Sequence, residues 1–117
     1  MPDDETTRAL LLGRMTGAGE AELARLALAR GALALGPERL WLAQPQLLGG
    51  PSVASVPLHD VGAVTVVRRR GLLGPRVEVE VVIAGRSVRF RAGGGADAAG
   101  RAGEFAAAVA DQVRRRG

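Results

Sequence analysis

The chain of 117 residues contains no cysteine, tyrosine, asparagine or lysine, a single histidine, and three aromatic side chains, Trp41, Phe90 and Phe105. Without cysteine there are no disulfides and no thiolate metal sites. No apolar run approaches the ~20 residues that span a bilayer. The opening MPDDETTR is acidic and polar, the reverse of a secretory leader, so a cytoplasmic protein is expected, at most peripheral to the inner face of the membrane. With so few aromatics, valine, leucine and alanine must fill the interior.

What is present is hydrophobic enough to fold, at 47%, and a chain of this length buries about two-thirds of its unfolded surface as one unit. The expected organisation is a disordered acidic tail over residues 1–8 and a single domain over 9–117. The net charge of +4 rests on arginine alone, with 16 basic residues and no lysine. Arginine, alanine and glycine share GC-rich codons, so the high isoelectric point is weak evidence for an anionic partner.

The most informative stretch is Val77–Arg91. With Ala84-Gly85 as a two-residue hairpin loop, Val81 faces Val88 and Val79 faces Phe90 on one side. Glu80 faces Arg89 and Glu78 faces Arg91 on the other. Side chains alternate along a strand, so a one-residue slip would scramble both sets. One register therefore yields an apolar face and two opposed-charge pairs together. Upstream, Val66 falls opposite Val79 and Val64 opposite Val81, which predicts a three-stranded meander over 61–70, 75–83 and 86–91 with one apolar face.

Elsewhere, Arg8–Met15 reads as one or two helical turns, ended by glycines at 17 and 19. Glu20–Arg30 (EAELARLALAR) is rich in helix formers and is followed by Gly31, where a helix-ending glycine would sit, which favours helix. Leu26 and Leu28 also alternate as in a strand, and that alternative stays open. Gly31–Ala43 reads as a hairpin turning at Gly36-Pro37-Glu38, Gln44–Ser52 as a loop, Val53–Leu58 as a short strand, and His59-Asp60 as a corner. Beyond the glycines at 93–95, expected as a flexible joint, the period becomes helical. Ala98, Ala102, Phe105, Val109 and Val113 form one stripe, with Asp97 before it and Arg114–Arg116 at its end.

Three passages carry a resemblance: GALALGPERLWL (Gly31–Leu42), VPLHDVGAV (Val56–Val64), and the phenylalanine-bearing last strand followed by the helix with Phe105. Together they make residues 31–116 similar to the bacterial pleckstrin-homology-like (PH/GRAM-like) domains. Gly36 departs from the threonine usual in that turn. The resemblance implies an α+β, mostly β fold: an antiparallel meander or partly open barrel capped by a C-terminal amphipathic helix, here with a short N-terminal helix. It implies an interaction module, since such domains serve lipid headgroups, peptides or self-assembly, and it supports architecture more than role.

The catalytic inventory is poor. His59-Asp60 evokes a metal dyad, but no further histidine exists to complete it; a corner residue bonded to backbone is the plainer reading. Ser52, Ser55 and Ser87 lack a nucleophile-elbow context. The glycines at 93–95 lack the lysine and hydroxyl residue of a phosphate loop. A non-enzyme is expected, with no cofactor and no metal.

One surface feature could carry function: the hairpin tip Arg68-Arg69-Arg70-Gly71-Leu72-Leu73-Gly74-Pro75-Arg76. Arg68, Arg69, Arg70, Leu72, Leu73 and Arg76 are the candidate binding residues, for lipid or for a protein partner. Guanidinium groups bind phosphate bidentately, and leucines beside them can enter a headgroup layer. Burying both leucines would contribute about 3 kcal/mol and each arginine about 1 kcal/mol near an anionic surface, giving weak, reversible binding. The bland alternative is a solvated basic turn whose leucines pack on the C-terminal helix or a neighbouring subunit. Protein contact or self-association, helped by an exposed edge strand at Val53–Leu58, leads. An anionic membrane surface comes second. Nucleic acid, through phosphate contacts from the tip and Arg114–Arg116, comes third because stacking aromatics are scarce.

Overall fold

In the computed structural model, residues 2–45, 52–72, 74–94 and 97–116 are described. Helix α1 (Pro2–Gly17) leads into strands β1 (Ala24–Ala27), β2 (Ala32–Leu35), β3 (Arg39–Gln44) and β4 (Ser52–Pro57). A 3-10 turn at Leu58–Asp60 feeds β5 (Val61–Gly71), β6 (Gly74–Ile83) and β7 (Arg86–Arg91), and helix α2 (Ala98–Arg116) follows. Strands β1 to β4 form one antiparallel sheet in that order, and β5 to β7 form a second. Among the described residues the sheets are joined along one side, where Leu28 bridges Ala92 and the Ala29 amide donates to the Arg91 carbonyl. Among the described residues β4 and β5 do not pair, so the barrel stays open on that flank.

The meander has the register the valine parity predicts. Val66 lies opposite Val79, Val64 opposite Val81, Val79 opposite Phe90 and Val81 opposite Val88. Val79 and Val81 are fully buried. They share the main core with Leu26, Leu33, Leu35, Leu40, Phe90 and the α2 residues Ala102, Phe105 and Val109. Ala84 and Gly85 turn the hairpin with φ of 51° and 83°. Both central residues of the twisted two-residue turn need positive φ.

Alternation of alanine and leucine divides the first sheet by size. Leu33, Leu35 and Leu40 point into the main core. Ala32, Ala34, Trp41 and Ala43 lie on the other face, against Leu11 and Met15 of α1. The small side chains let a helix approach that face closely, so this sheet has no wet side where α1 covers it. Residues 2–8, expected to belong to an acidic tail, open α1, and Thr7 is buried. Proline at the first helical position and acids in the first turn are favourable helix-start signals.

The helix favoured for Glu20–Arg30 is also corrected. Its centre is strand β1, paired antiparallel with β2 from Ala24↔Leu35 to Ala27↔Ala32. Leu26 and Leu28 are buried, and the gain from burying that alternating face outweighs the local helix propensity. Gly31 ends no helix. It turns β1 into β2 at φ +95°, where a Cβ would collide with the Ala43 carbonyl oxygen. The glycine joint is likewise firmer than expected: the Gly93 amide donates to the Ala27 carbonyl and the Gly94 carbonyl accepts from Arg101, while Gly95 lies outside the described residues. Most of the expected 44–52 loop, residues 46–51, also lies outside them.

Glu20, just past α1, explains the odd glycine of the β2–β3 turn. Its carboxylate is buried and accepts long contacts of 3.4 Å from the Trp41 indole N–H and the Glu38 amide. An added Cβ at Gly36 would crowd Glu20 Oε1. Gly36→Thr should therefore cost about 1–3 kcal/mol of unfolding free energy through overpacking. Urea denaturation should find that cost reduced by about 1 kcal/mol in a Glu20→Ala background; an equal cost in both backgrounds would remove Glu20 as the reason.

Candidate functional site

The tip exists because β5 and β6 stay paired beyond the core. Arg68 lies opposite Val77, Arg69 opposite Arg76, Arg70 opposite Pro75 and Gly71 opposite Gly74. By alternation, Arg69 and Arg76 share the outer face with Glu78, while Arg68 and Arg70 continue the row of Val66 past the buried layer. Arg68, Arg69, Arg70, Pro75 and Arg76 are all exposed. Leu72 is exposed at 106%, so it packs neither on α2 nor on any other described element of its own chain. Leu73 lies outside the described residues. Arg69 and Arg76 set like charges opposite each other, an arrangement that costs stability in a sheet.

Of the two cross-strand ion pairs expected, one forms as read. Arg89 Nε donates to Glu80 Oε2 at 3.0 Å. Glu78 is in register with Arg91, but its carboxylate Oε1 accepts from Arg69 Nε at 2.8 Å instead. Arg69 reaches Glu78 on the diagonal from the other flank, within range of a long side chain. Arg91 is consequently left without an ion-pair partner among the described residues, as are Arg68, Arg70 and Arg76. A cleft of about 400 Å³ opens beneath the tip, lined by Arg68, Arg76 and Arg91, by Gly93 and Gly94, and by the first residues of α2. Sequence reasoning missed Arg91 as part of this site because it had assigned the side chain to Glu78.

The second arginine cluster is spent on its own helix and its neighbour. Arg114 and Arg115 bond Asp111 at 3.4 and 2.9 Å, and Arg116 pairs with Glu38. Gln112 Nε2 donates to the Pro37 carbonyl at 2.8 Å, which ties the end of α2 to the β2–β3 turn. The tip cleft lies at the opposite end of α2, about 25 Å away at 1.5 Å per residue. The two clusters do not make one continuous basic surface.

His59 sits on the 3-10 corner, with its side chain 80% exposed and Nε2 3.5 Å from Asp60 Oδ1. It faces a neighbouring carboxylate rather than the backbone partner expected. The Ser55 hydroxyl accepts from Arg39 Nε at 2.8 Å. No group of three or more metal-ligating side chains occurs among the described residues, and no described helix is long and apolar enough to cross a membrane.

Comparison with solved structures gives a fold match: the crystal structure of a pleckstrin homology domain from Shewanella amazonensis SB2B superposes with a TM-score of 0.54. The alignment has 18% sequence identity and covers 69% of this chain and 78% of that one. No family model matches the chain, and no curated protein sequence matches it. The fold is thus pleckstrin-homology-like.

The Arg115 guanidinium, by its hydrogen bond and its charge, holds the Asp111 carboxyl below the usual aspartate value. Because this pKa is depressed in the folded chain, the pair is complete above the unfolded value and is lost as pH falls through the folded one. Carbon-detected titration should place the Asp111 midpoint below that of an unpaired aspartate, and Arg115→Gln should raise it; a midpoint unmoved by the substitution would break the assignment.

Proposed function

We propose that the chain is a non-catalytic interaction module whose main role is protein–protein contact or self-assembly. The observation that carries this reading is the open flank of the barrel. Among the described residues, strand β4 ends the first sheet without a partner on its outer side, and β5 does not close onto it. An unpaired strand edge is a template for a strand of another chain. Apolar groups gather on the same flank: Leu42, Ala54, Val56 and Ile83 line a small apolar recess there. Self-association or capture of a partner strand would cover both the edge and the recess. Sedimentation velocity at high micromolar concentration should show a species heavier than the monomer, and Ala54→Lys, a charge on the exposed position of β4, should return it to monomer. A clean monomer for the unmodified chain, with no partner recovered, would overturn self-assembly.

A second reading, peripheral binding to an anionic lipid surface, is favoured by a different observation: fully exposed Leu72 between exposed arginines. An apolar side chain at a basic tip suits the boundary between headgroups and acyl chains. Liposome flotation should recover the unmodified chain with anionic vesicles, and Leu72→Ser should reduce recovery severalfold; equal recovery of the two would discard this reading. Nucleic-acid binding is disfavoured, because Trp41, Phe90 and Phe105 are all buried and offer no stacking platform.

A further inference from the structure

A second cleft, of about 340 Å³, lies where the β2–β3 turn, the 3-10 corner and the last turn of α2 meet. That is room for a small ligand. Its lining carries both signs of charge. Glu38 and Arg116 pair with each other, which leaves Glu20 and Arg39 as its uncompensated acid and base. Neither has an ion-pair partner among the described residues, and they do not pair with one another. His59, also in the lining, faces Asp60.

Strand alternation places both groups on the same side of the first sheet. Arg39 and Trp41 share the face of β3 that α1 covers, and Ser55 lies opposite Trp41 on β4. Glu20 reaches that face from the end of α1 and meets the Trp41 indole. Each group is anchored away from the other. Arg39 Nε donates to Ser55 Oγ at 2.8 Å, and the two terminal nitrogens of its guanidinium bond no described residue. Glu20 Oε1 takes both long contacts, from Trp41 and from the Glu38 amide. Its Oε2 accepts from no described residue and yet is not sealed from solvent, although Glu20 as a whole is only 8% exposed. Oε2 therefore opens on the cleft.

A carboxylate this buried is costly unless donors meet it. The two long contacts on Oε1 recover little of that cost, and the guanidinium in the same cleft is held by a serine. An acid and a base fixed on one cleft wall, and kept apart, complement a molecule that carries the two opposite charges. Preorganisation of this kind lowers the ordering cost of binding.

We propose that this cleft binds a small zwitterion, an ammonium and a carboxylate joined by a few carbon atoms, as in a free amino acid. Glu20 Oε2 accepts from the ammonium, and the terminal nitrogens of Arg39 take the carboxylate, to which the guanidinium fork is suited. Ala18 and Pro57 give the carbon chain an apolar surface to lie on. The seat uses neither the β4 edge nor the basic tip, so it stands or falls apart from both readings above.

Trp41 is the sole tryptophan, and its contact with Glu20 makes its emission a reporter on the cleft. The full chain is titrated at fixed ionic strength with glycine, β-alanine and γ-aminobutyrate, which step the ammonium away from the carboxylate. Methylammonium and acetate serve as single-charge controls. A saturable change in emission, confirmed by calorimetry, is expected for at least one of the three zwitterions, about tenfold or more tighter than for either control. Glu20→Gln keeps an oxygen for Trp41 but removes the charge, and should weaken that binding about tenfold or more, as should Arg39→Gln. Arg70→Gln, at the distant tip, should leave it unchanged. No saturable binding of any of the three would overturn the proposal. So would a control that binds as tightly as the best zwitterion, since the cleft would then serve one charge alone. Binding undiminished in Glu20→Gln and Arg39→Gln, with circular dichroism unaltered in both, would do the same.

Discussion

The register of β6 between its two neighbours is the constraint on which the molecule depends. Val79 and Val81 are fully buried only because each faces an apolar partner in β5 and in β7. That row closes the main core beneath Phe105 and Val109 of α2. Side chains alternate with a period of two, so a slip by one residue would bring Glu78 and Glu80 into the core and expose the valines. Burying unpaired carboxylates in an apolar layer costs far more than any turn could return. The register is therefore held by the core, not by the ion pairs on the outer face.

The same register builds the basic tip as a by-product of length. Strands β5 and β6 run several residues past the buried layer, and the alternation continues where there is no longer a core to fill. Positions that would hold valine lower down hold Arg68 and Arg70, and the outer row carries Arg69 and Arg76. The rivalry between Arg69 and Arg91 for Glu78 then decides which guanidinium stays free. At the other end of α2 the arginines are absorbed by Asp111 and Glu38. Two clusters that look alike as sequence thus have different availability to a ligand.

Much of this fold was legible before any coordinates. The meander over 61–91, the Ala84-Gly85 turn, the hairpin around Gly36-Pro37 and the stripe of α2 follow from period and turn chemistry, which are local signals. Two elements resisted. Leu26 and Leu28 fit either period over so short a span, and the alanines and leucines of Glu20–Arg30 favour helix; only the β2 edge waiting beside them makes that segment a strand. The start of α1 was read as a tail from its acidic residues, although what anchors the helix is the face formed by Ala32, Ala34, Trp41 and Ala43, distant in sequence. For the site, the arginines and Leu72 were visible as a basic tip, whereas Arg91 was hidden behind its registered partner.

By itself, then, the amino-acid order determined the strand parity, the turns, the amphipathic closing helix and the position of a basic tip, because each is written in neighbours a few residues apart. Tertiary structure alone decided that β1 is a strand, that α1 roofs the alanine face, that the β4 flank stays open, and that Arg91 is free. Those outcomes turn on competition between groups far apart in the chain for one surface or one carboxylate. Such a competition is settled by distance in space, which local periodicity does not encode.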